Sequence, residues 1–427
     1  MKIVLKACIM GLLLINTSLI AQQKNELEPR HRVKSVKAAV GSFAQSEEKE
    51  ILKTNNFKDM FTKGSVSGQL RSVYAGYQQK KNSNNDTYAT AVGGELKFEL
   101  ASYNGFGGGV AFITSNDVSG LTGNRTEGKN NNELSSSSGQ YTQLSEAYIS
   151  YNYKDLTLIA GRQILETPLA DSDDIRMIKN TFEAYVAKYN YVDIEFIAGN
   201  IVSWQGVDAD LDDPWHRTTK DGTVFGGMTY QKTLEFNAWY YNFSNITNAF
   251  YVDAGINYVI NKDMNLHATL QYLNESELNN SGYEAEIYGA LVELVTYGIG
   301  FNLAYNKSNK KTDKHSYSGT GGGTIFTSMD IMILDNITKD RDASAVVCGI
   351  SYDVKNWKFL YAYGSFSGEA DGAGQKAHII EQDIGFEYQM SKEFFIGAIF
   401  VMQEDKENSL SSDDDWTRMQ VMLAYNF

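Results

Sequence analysis

The sequence predicts an all-β chain closed into a transmembrane antiparallel β-barrel of about 18 strands, and three observations carry that expectation. Among 427 residues, Gly 37, Tyr 27 and Phe 21 stand against Pro 3, a composition that favours strands and tight turns over helices. From residue 64 onward, segments of about ten residues alternate apolar and polar side chains, the period of a strand with two different faces. The chain stops in "MQVMLAYNF", where Met419, Val421, Leu423, Tyr425 and Phe427 share one face and Arg418, Gln420, Ala424 and Asn426 the other. A soluble edge strand ending on a bare aromatic would invite aggregation, whereas a last strand that pairs with the first needs an apolar outer face to its end.

The elements follow in order. "MKIVLKACIMGLLLINTSLIAQQKNE" has charged Lys2 and Lys6, an apolar stretch from Ala7 to Ile20 too short to span a bilayer, and the small Ala21. Residues 1–21 therefore read as a signal peptide of an exported protein. Losing Lys2 and Lys6 with it takes the formal net charge from -14 to -16, which disfavours a nucleic-acid partner. No later run of apolar residues is long enough for a membrane helix. Residues 22–63 are charged, with Ile51, Leu52, Phe57, Met60 and Phe61 at helical spacing. They are expected to form a periplasmic N-terminal extension ending in a short amphipathic turn, with simple disorder an equal alternative for its first half.

Residues 64–427 form the barrel domain. "VSGQLRSVYAG" opposes Val66, Leu70 and Tyr74 to Ser67, Gln69 and Arg71; "YATAVGGELKFEL" opposes Tyr88, Val92, Leu96, Phe98 and Leu100 to Gly93, Glu95, Lys97 and Glu99. A Lys or Arg turned into lipid costs roughly 2–4 kcal/mol at the bilayer midplane. The charged face is therefore expected to look inward, placing Arg71, Glu95, Lys97, Glu99, Glu146 and Arg418 toward the lumen. The same alternation gives strands near 65–77, 87–101, 107–116, 141–153, 155–163, 182–190, 192–199, 223–231, 233–243, 249–261, 264–275, 283–296, 298–308, 344–354, 357–368, 377–390, 393–404 and 416–427. Joints after even strands are short and those after odd strands long and polar. Short turns belong on the periplasmic side, and both termini with them. Tyr153, Trp239, Tyr240, Tyr241, Trp357, Tyr361 and Tyr425 near strand ends suit interfacial girdles, although ordinary β-preference also accounts for them.

Two joints are more than connections. "GRQILETPLADSDDIRMIKNTFEAY", between the fifth and sixth strands, is long, charged and stiffened by Pro168. Between the thirteenth and fourteenth, the glycine-rich Gly319 to Gly323 adjoins the apolar "TIFTSMDIMIL". A loop folded back into a lumen and packed on its wall would need that mixture.

At these loops the chain resembles a known family. The first is similar to the signature of the OprD family of outer-membrane porins, with its Gly-Arg-Gln strand end, Pro, Asp-x-Arg element and Asn-Thr-Phe-Glu entry to the next strand. "GTGGGTIFTSMD" resembles the constriction loop of that family's relatives in epsilon-type proteobacteria, and "GSVSGQLRSVY" and "YAYGSFSG" also fit. The resemblance implies an 18-stranded outer-membrane barrel of a Gram-negative bacterium for passive uptake of small polar solutes, constricted by its third and seventh extracellular loops. It implies that Arg162, Asp174, Arg176 and Asn180 belong to the third-loop constriction, and Gly321, Gly322, Gly323, Phe326, Ser328 and Met329 to the seventh. The terminal Tyr425 and Phe427 resemble the signal read by barrel assembly machinery. The family's arginine ladder is not matched, since Arg71, Arg162 and Arg418 are the strand arginines. An acidic lumen, with Glu183 and Glu195 added, would favour cations or neutral solutes; alternatively the acidity resides in outer loops that hold divalent ions with lipopolysaccharide. Outer-membrane lipids and lipopolysaccharide are the expected surroundings, and both monomer and homotrimer are open.

Other chemistries are weakly signalled. "DADLDD", Asp208 to Asp213, has calcium-loop spacing but lacks the glycine and has Thr219 where the closing glutamate belongs. His31, His216, His267, His315 and His378 show no paired spacing, so no metal or cofactor is expected. A barrel enzyme would need a His beside a Ser nucleophile, and "NLHATL" and "KAHII" supply no such context. A loop-based adhesin or structural barrel shares every membrane feature and differs in having a plugged lumen.

Overall fold

Period-two alternation runs through eighteen segments, and among the described residues eighteen long strands form. The computed structural model describes residues 52–81, 85–321, 323–410 and 415–427. The expected signal peptide, most of the extension and Gly322 lie outside the described residues. The strands are β1 (Ser65–Gln79), β2 (Thr87–Glu99), β3 (Phe106–Asp117), β4 (Gln140–Tyr153), β5 (Leu156–Gln163), β6 (Thr181–Tyr191), β7 (Ile194–Gln205), β8 (Thr223–Gln231), β9 (Leu234–Phe243), β10 (Thr247–Asn261), β11 (Met264–Glu277), β12 (Ala285–Thr296), β13 (Ile299–Ser308), β14 (Ala343–Val354), β15 (Trp357–Gly368), β16 (Ala377–Gln389), β17 (Phe394–Asp405) and β18 (Trp416–Asn426). Each pairs antiparallel with its chain neighbour. β18 then pairs with β1 from Gln69↔Asn426 to Gln79↔Trp416, which closes the sheet and leaves no edge. Phe427 continues this seam: its N–H donates to the Gly68 carbonyl (3.0 Å) and its carbonyl accepts from Gly68 N–H (3.1 Å).

Every strand turns at least one large apolar side chain outward and leaves it exposed. Around the ring these include Leu70, Leu96, Phe112, Ile149, Leu158, Tyr185, Phe196, Val224 and Tyr240, then Phe250, Leu270, Val292, Leu303, Tyr352, Tyr361, Ile384, Phe400 and Leu423. A continuous apolar belt of this kind far exceeds the isolated patches a water-soluble monomer tolerates, and closure of the sheet satisfies the backbone within it. On the opposite face Gln69, Arg71, Glu146, Asp253, Gln271, Glu275, Glu381, Asp383 and Arg418 are buried inside the barrel.

Turns after the even strands are short, as expected. The joint after β9 breaks the other half of the rule, since residues 244–246 close it with three residues. The girdle assignment also needs correction at two positions. Tyr240, Trp357, Tyr361 and Tyr425 are exposed, but Trp239 and Tyr241 point inward and are buried, stacked with Phe225 and Phe243 at centroid distances of 5.6–6.5 Å. Gly227 opposite Trp239 makes the stack possible, because a Cβ there would lie 2.2 Å from the indole.

Ahead of the barrel, Lys53–Thr54 pairs in parallel with Ser102–Tyr103 beneath the β2–β3 turn. A short helix, α1 (Phe57–Thr62), follows, where the amphipathic turn was expected. Its N-terminus is capped by the Asn56 side chain, which accepts from Asp59 N–H at 2.9 Å.

Candidate functional site

Inside the barrel, loop backbone needs hydrogen-bond partners that water would supply elsewhere, and inward polar side chains of the wall provide them. The third loop (164–180) begins with a two-residue hairpin, Glu166–Thr167 with Ala170–Asp171. It then crosses the lumen toward β1 and β18. Arg71 grips it by a bidentate pair with Asp174 (2.6 and 2.7 Å) and by donation to the Arg176 carbonyl (2.7 Å). Gln420 donates to the Ile175 carbonyl (3.0 Å). Lys179 returns to the wall at Glu95 (2.8 Å) and, less closely, Glu146 (3.7 Å).

The seventh loop (309–342) enters from the opposite side. The Tyr317 and Ser318 N–H groups donate to Glu275 (2.8 and 3.1 Å), and Gln271 donates to the Thr324 carbonyl (2.7 Å). Thr327 N–H reaches Asn306 (3.1 Å), while Ile331 and Met332 N–H both reach Glu381 (3.0 Å each) and Asp330 N–H reaches Asp383 (3.2 Å). The two loops then join. Thr320 N–H donates to the Leu169 carbonyl (2.9 Å), Asp171 N–H to the Thr320 carbonyl (3.3 Å), and the Thr324 hydroxyl to the Pro168 carbonyl.

A third segment completes the ring. Glu133, from the second loop (118–139), receives Arg176 (2.9 Å) and Arg418 (3.0 Å), and Arg418 also holds Asp330 (2.9 Å). Burial alone would raise the Glu133 carboxyl, but Arg418 and Arg176 outweigh it and hold it below the usual carboxylate range. Asp174 is likewise pulled down by Arg71 against the effect of burial. Four charged side chains, three from loops and Arg418 from β18, thus form one ion-paired cross-piece.

Most residues expected at the constriction meet here. Asp174 and Arg176 are ion-paired within it. Asn180 is fully buried and is the junction of three loops: its amide donates to Asp208 of the fourth loop (206–222) at 2.8 Å and to the Asp171 carbonyl at 3.3 Å. Gly321, at φ +79, lies against it, and a Cβ there would come within 2.5 Å of the Asn180 amide nitrogen. Gly323 is in the same stretch. Phe326, Ser328 and Met329 are buried, with both apolar side chains in the packed cluster under the loop, so they anchor it and do not line a passage.

Arg162 is the exception and corrects the expected assignment. It pairs in register with Ala147 and Glu183, on the face of β5 that carries Leu158 and Ala160. That is the outer face. Its guanidinium stacks 4.1 Å from the Trp215 ring of the fourth loop, which covers it, and Glu183 beside it also faces outward. Arg71, Glu95, Lys97, Glu99, Glu146 and Arg418 all face inward. Lys97 bridges Glu99 (3.2 Å) and Glu146 (3.0 Å); Glu95, Lys97 and Glu99 keep 16–21 % of their side-chain surface, so solvent reaches them. Sequence reasoning missed Glu133, Asp330, Glu381 and Asp383. The aspartates of "DADLDD" tie loops together: besides Asp208, Asp212 accepts from Ser137 N–H at 2.8 Å.

Folding does bring one histidine to an acid and a hydroxyl: His267 Nε2 lies 3.0 Å from Glu235 and 2.9 Å from Thr269. Both partners meet the same ring nitrogen, whereas a proton relay needs one on each.

No protein-family model matches the chain, and no curated protein does. Solved structures with the same fold are numerous. OpdK of Pseudomonas aeruginosa with vanillate superposes with a TM-score of 0.72 at 15% identity, over 86% of this chain and 99% of that one. OccAB4 of Acinetobacter baumannii gives 0.71 at 14%, over 85% and 98%. A BenF-like porin from Pseudomonas fluorescens Pf-5 gives 0.74 at 13%, over 86% and 99%. The chain has the barrel fold of these proteins along almost their whole length.

Proposed function

We propose that this chain is an OprD-type outer-membrane porin of a Gram-negative bacterium, forming a water-filled channel for passive diffusion of small polar solutes and ions. The observation that carries this is the inversion of the barrel: an apolar exterior on all eighteen strands encloses a wall of charged side chains, with two loops folded inward to narrow the space. The fold shared with outer-membrane porins supports the same assignment. Short turns would face the periplasm, and Tyr425 and Phe427, stacked at 6.4 Å at the end of β18, would be read by barrel assembly machinery. Lipopolysaccharide would surround the loop end. Monomer and homotrimer both fit, and no metal or cofactor is invoked.

The wall supports a preference for cations. At the cross-piece, acids and bases largely neutralise one another. Along β9 to β16 they do not: Glu235, Glu293, Asp353 and Glu387 face Lys358 and His267, and the Lys358–Glu387 separation is 3.6 Å. A net negative lining concentrates cations and repels anions over roughly a Debye length, about 8–10 Å at physiological salt. Single-channel recording of the refolded protein in planar bilayers tests both statements. Ohmic channels with a cation-selective reversal potential in a KCl gradient are expected. Silence where a control porin conducts overturns the transport assignment, and anion selectivity overturns the preference.

A further inference from the structure

We propose that residues 52–63 form an interfacial foot, seating the turn end of the barrel on an anionic phospholipid leaflet; this rests on the chain being an outer-membrane barrel. The segment is docked through its backbone. Lys53–Thr54 adds in parallel to Ser102–Tyr103, Ser102 N–H donates to the Leu52 carbonyl (2.7 Å) and Ala101 N–H to the Met60 carbonyl (3.0 Å). Met60 is buried against the barrel, but the other large apolar groups turn away from it. Leu52, Phe57 and Phe61 are 60%, 65% and 52% exposed, and the two rings pack edge to face at 5.6 Å.

A helix ending a water-soluble extension would bury that face; one lying in a membrane interface exposes it to lipid. Three features favour the bilayer as its partner. The segment sits at the end of β2, where Gly64 packs on the Phe98 ring of the outer face, so a Cβ there would come within 2.6 Å of that ring. Its apolar surface therefore continues the boundary already marked by Phe98, Phe106 and Phe427. Its charge fits as well: Asp59 is paired with Lys63 (2.7 Å), which leaves the exposed Lys53 and Lys58 to meet lipid phosphates. The barrel holds the segment beside the leaflet, so a two-turn element that would not bind alone works at high effective concentration.

Site-directed nitroxides test this in the full chain carrying Cys8→Ser and Cys348→Ser, reconstituted in phosphatidylethanolamine–phosphatidylglycerol bilayers. Labels at Phe57→Cys and Phe61→Cys are compared with Leu96→Cys in the outer belt and Lys376→Cys on a loop. Collision with oxygen exceeding collision with a water-soluble nickel chelate at 57 and 61, as at 96, is expected. Values matching those at 376, or shelter from both reagents by a protein contact, overturn the foot. An aqueous value at 96 would instead overturn the barrel assignment beneath it, so the two failures are distinguishable.

Discussion

Replacing Arg418 by Met should cost more than any other single change in the cross-piece. The guanidinium is fully buried, donates to Glu133 at 3.0 and 3.3 Å and to Asp330 at 2.9 Å, and is further held by Gln420 at 2.6 Å. Methionine would fill part of the volume but satisfy neither acid. Glu133 keeps Arg176 at 2.9 Å, whereas Asp330 loses its guanidinium in a site where it is 5% exposed. Removing one partner of a buried ion pair costs about 3–5 kcal/mol, chiefly because the other charge is left uncompensated. The loss should appear in equilibrium urea unfolding of the protein in lipid, and release of the seventh loop should add noise to the open-channel current. Arg418→Met combined with Asp330→Asn removes the orphan charge and should recover most of the loss, since deleting a buried pair together is often nearly neutral. A single-variant loss below about 1 kcal/mol, the range of exposed pairs, with no recovery in the double variant, would refute the cross-piece as a buried, mutually dependent unit.

Further outcomes follow from the same geometry. Deleting residues 319–329 removes the strip that joins Leu169 and Pro168 and should raise single-channel conductance; an unchanged value discards the seventh loop as a constriction. Glu133 and Asp174 are held below their ordinary values by arginines, so their contribution is complete above the ordinary carboxylate pKa, about 4, and is lost as pH falls through the depressed values. The stability these two carboxylates contribute, read as the difference in unfolding free energy between the parent chain and Glu133→Gln or Asp174→Asn, should therefore stay flat from about pH 7 to 5 and fall only in stronger acid, and a loss centred near about pH 6 would contradict this. Gly94 has φ +139, and a Cβ there would lie 1.8 Å from the Gln69 carbonyl oxygen. Gly94→Ala should lower stability by about 1–3 kcal/mol, whereas Gly226→Ala, with nothing nearer than 3.7 Å, should be tolerated in the same unfolding assay. Deleting Phe427 removes both hydrogen bonds to Gly68 at the seam and should impair insertion before it alters conductance; normal assembly would count against the terminal residue as a signal.

The strands were legible because period-two alternation survives wherever one face meets lipid and the other water, which holds through all eighteen of them. Arg162 was misplaced for a physical reason. Strict alternation from Leu158 through Ala160 already puts it outside, but the rule that charge faces the lumen overrode that count. The rule weakens toward a strand end, where the cost of an outward Lys or Arg falls to about 0–1 kcal/mol, and here Trp215 covers the guanidinium. Trp239 and Tyr241 failed in the opposite sense, since an aromatic near a strand end suits a girdle equally well as an interior stack. What decides it is Gly227 across the sheet, a cross-strand pairing that no single segment reveals. Glu133, Asp330, Glu381 and Asp383 were illegible because each acts only through a partner distant in sequence; Arg418 and Glu133 are 285 residues apart.

The wall explains why the seventh loop can be rich in glycine and apolar residues and yet keep one path. Gln271, Glu275, Asn306, Glu381 and Asp383 come from β11, β13 and β16, all inward, and each accepts at least one N–H from residues 317–332. An acidic or amide side chain buried in a strand is costly unless it has such a donor, so wall and loop satisfy one another and neither is comfortable alone. Shape at the narrowing is thus set by the wall's acceptors, and charge there is consumed by Arg71, Arg176, Lys179 and Arg418. If the chain is the proposed channel, its selectivity would come largely from below it, where the acids of β9, β12, β14 and β16 outnumber the bases. On the proposed porin reading, the consequence is a division of labour along the axis: the paired ring would set what size passes, and the acidic wall what sign is favoured.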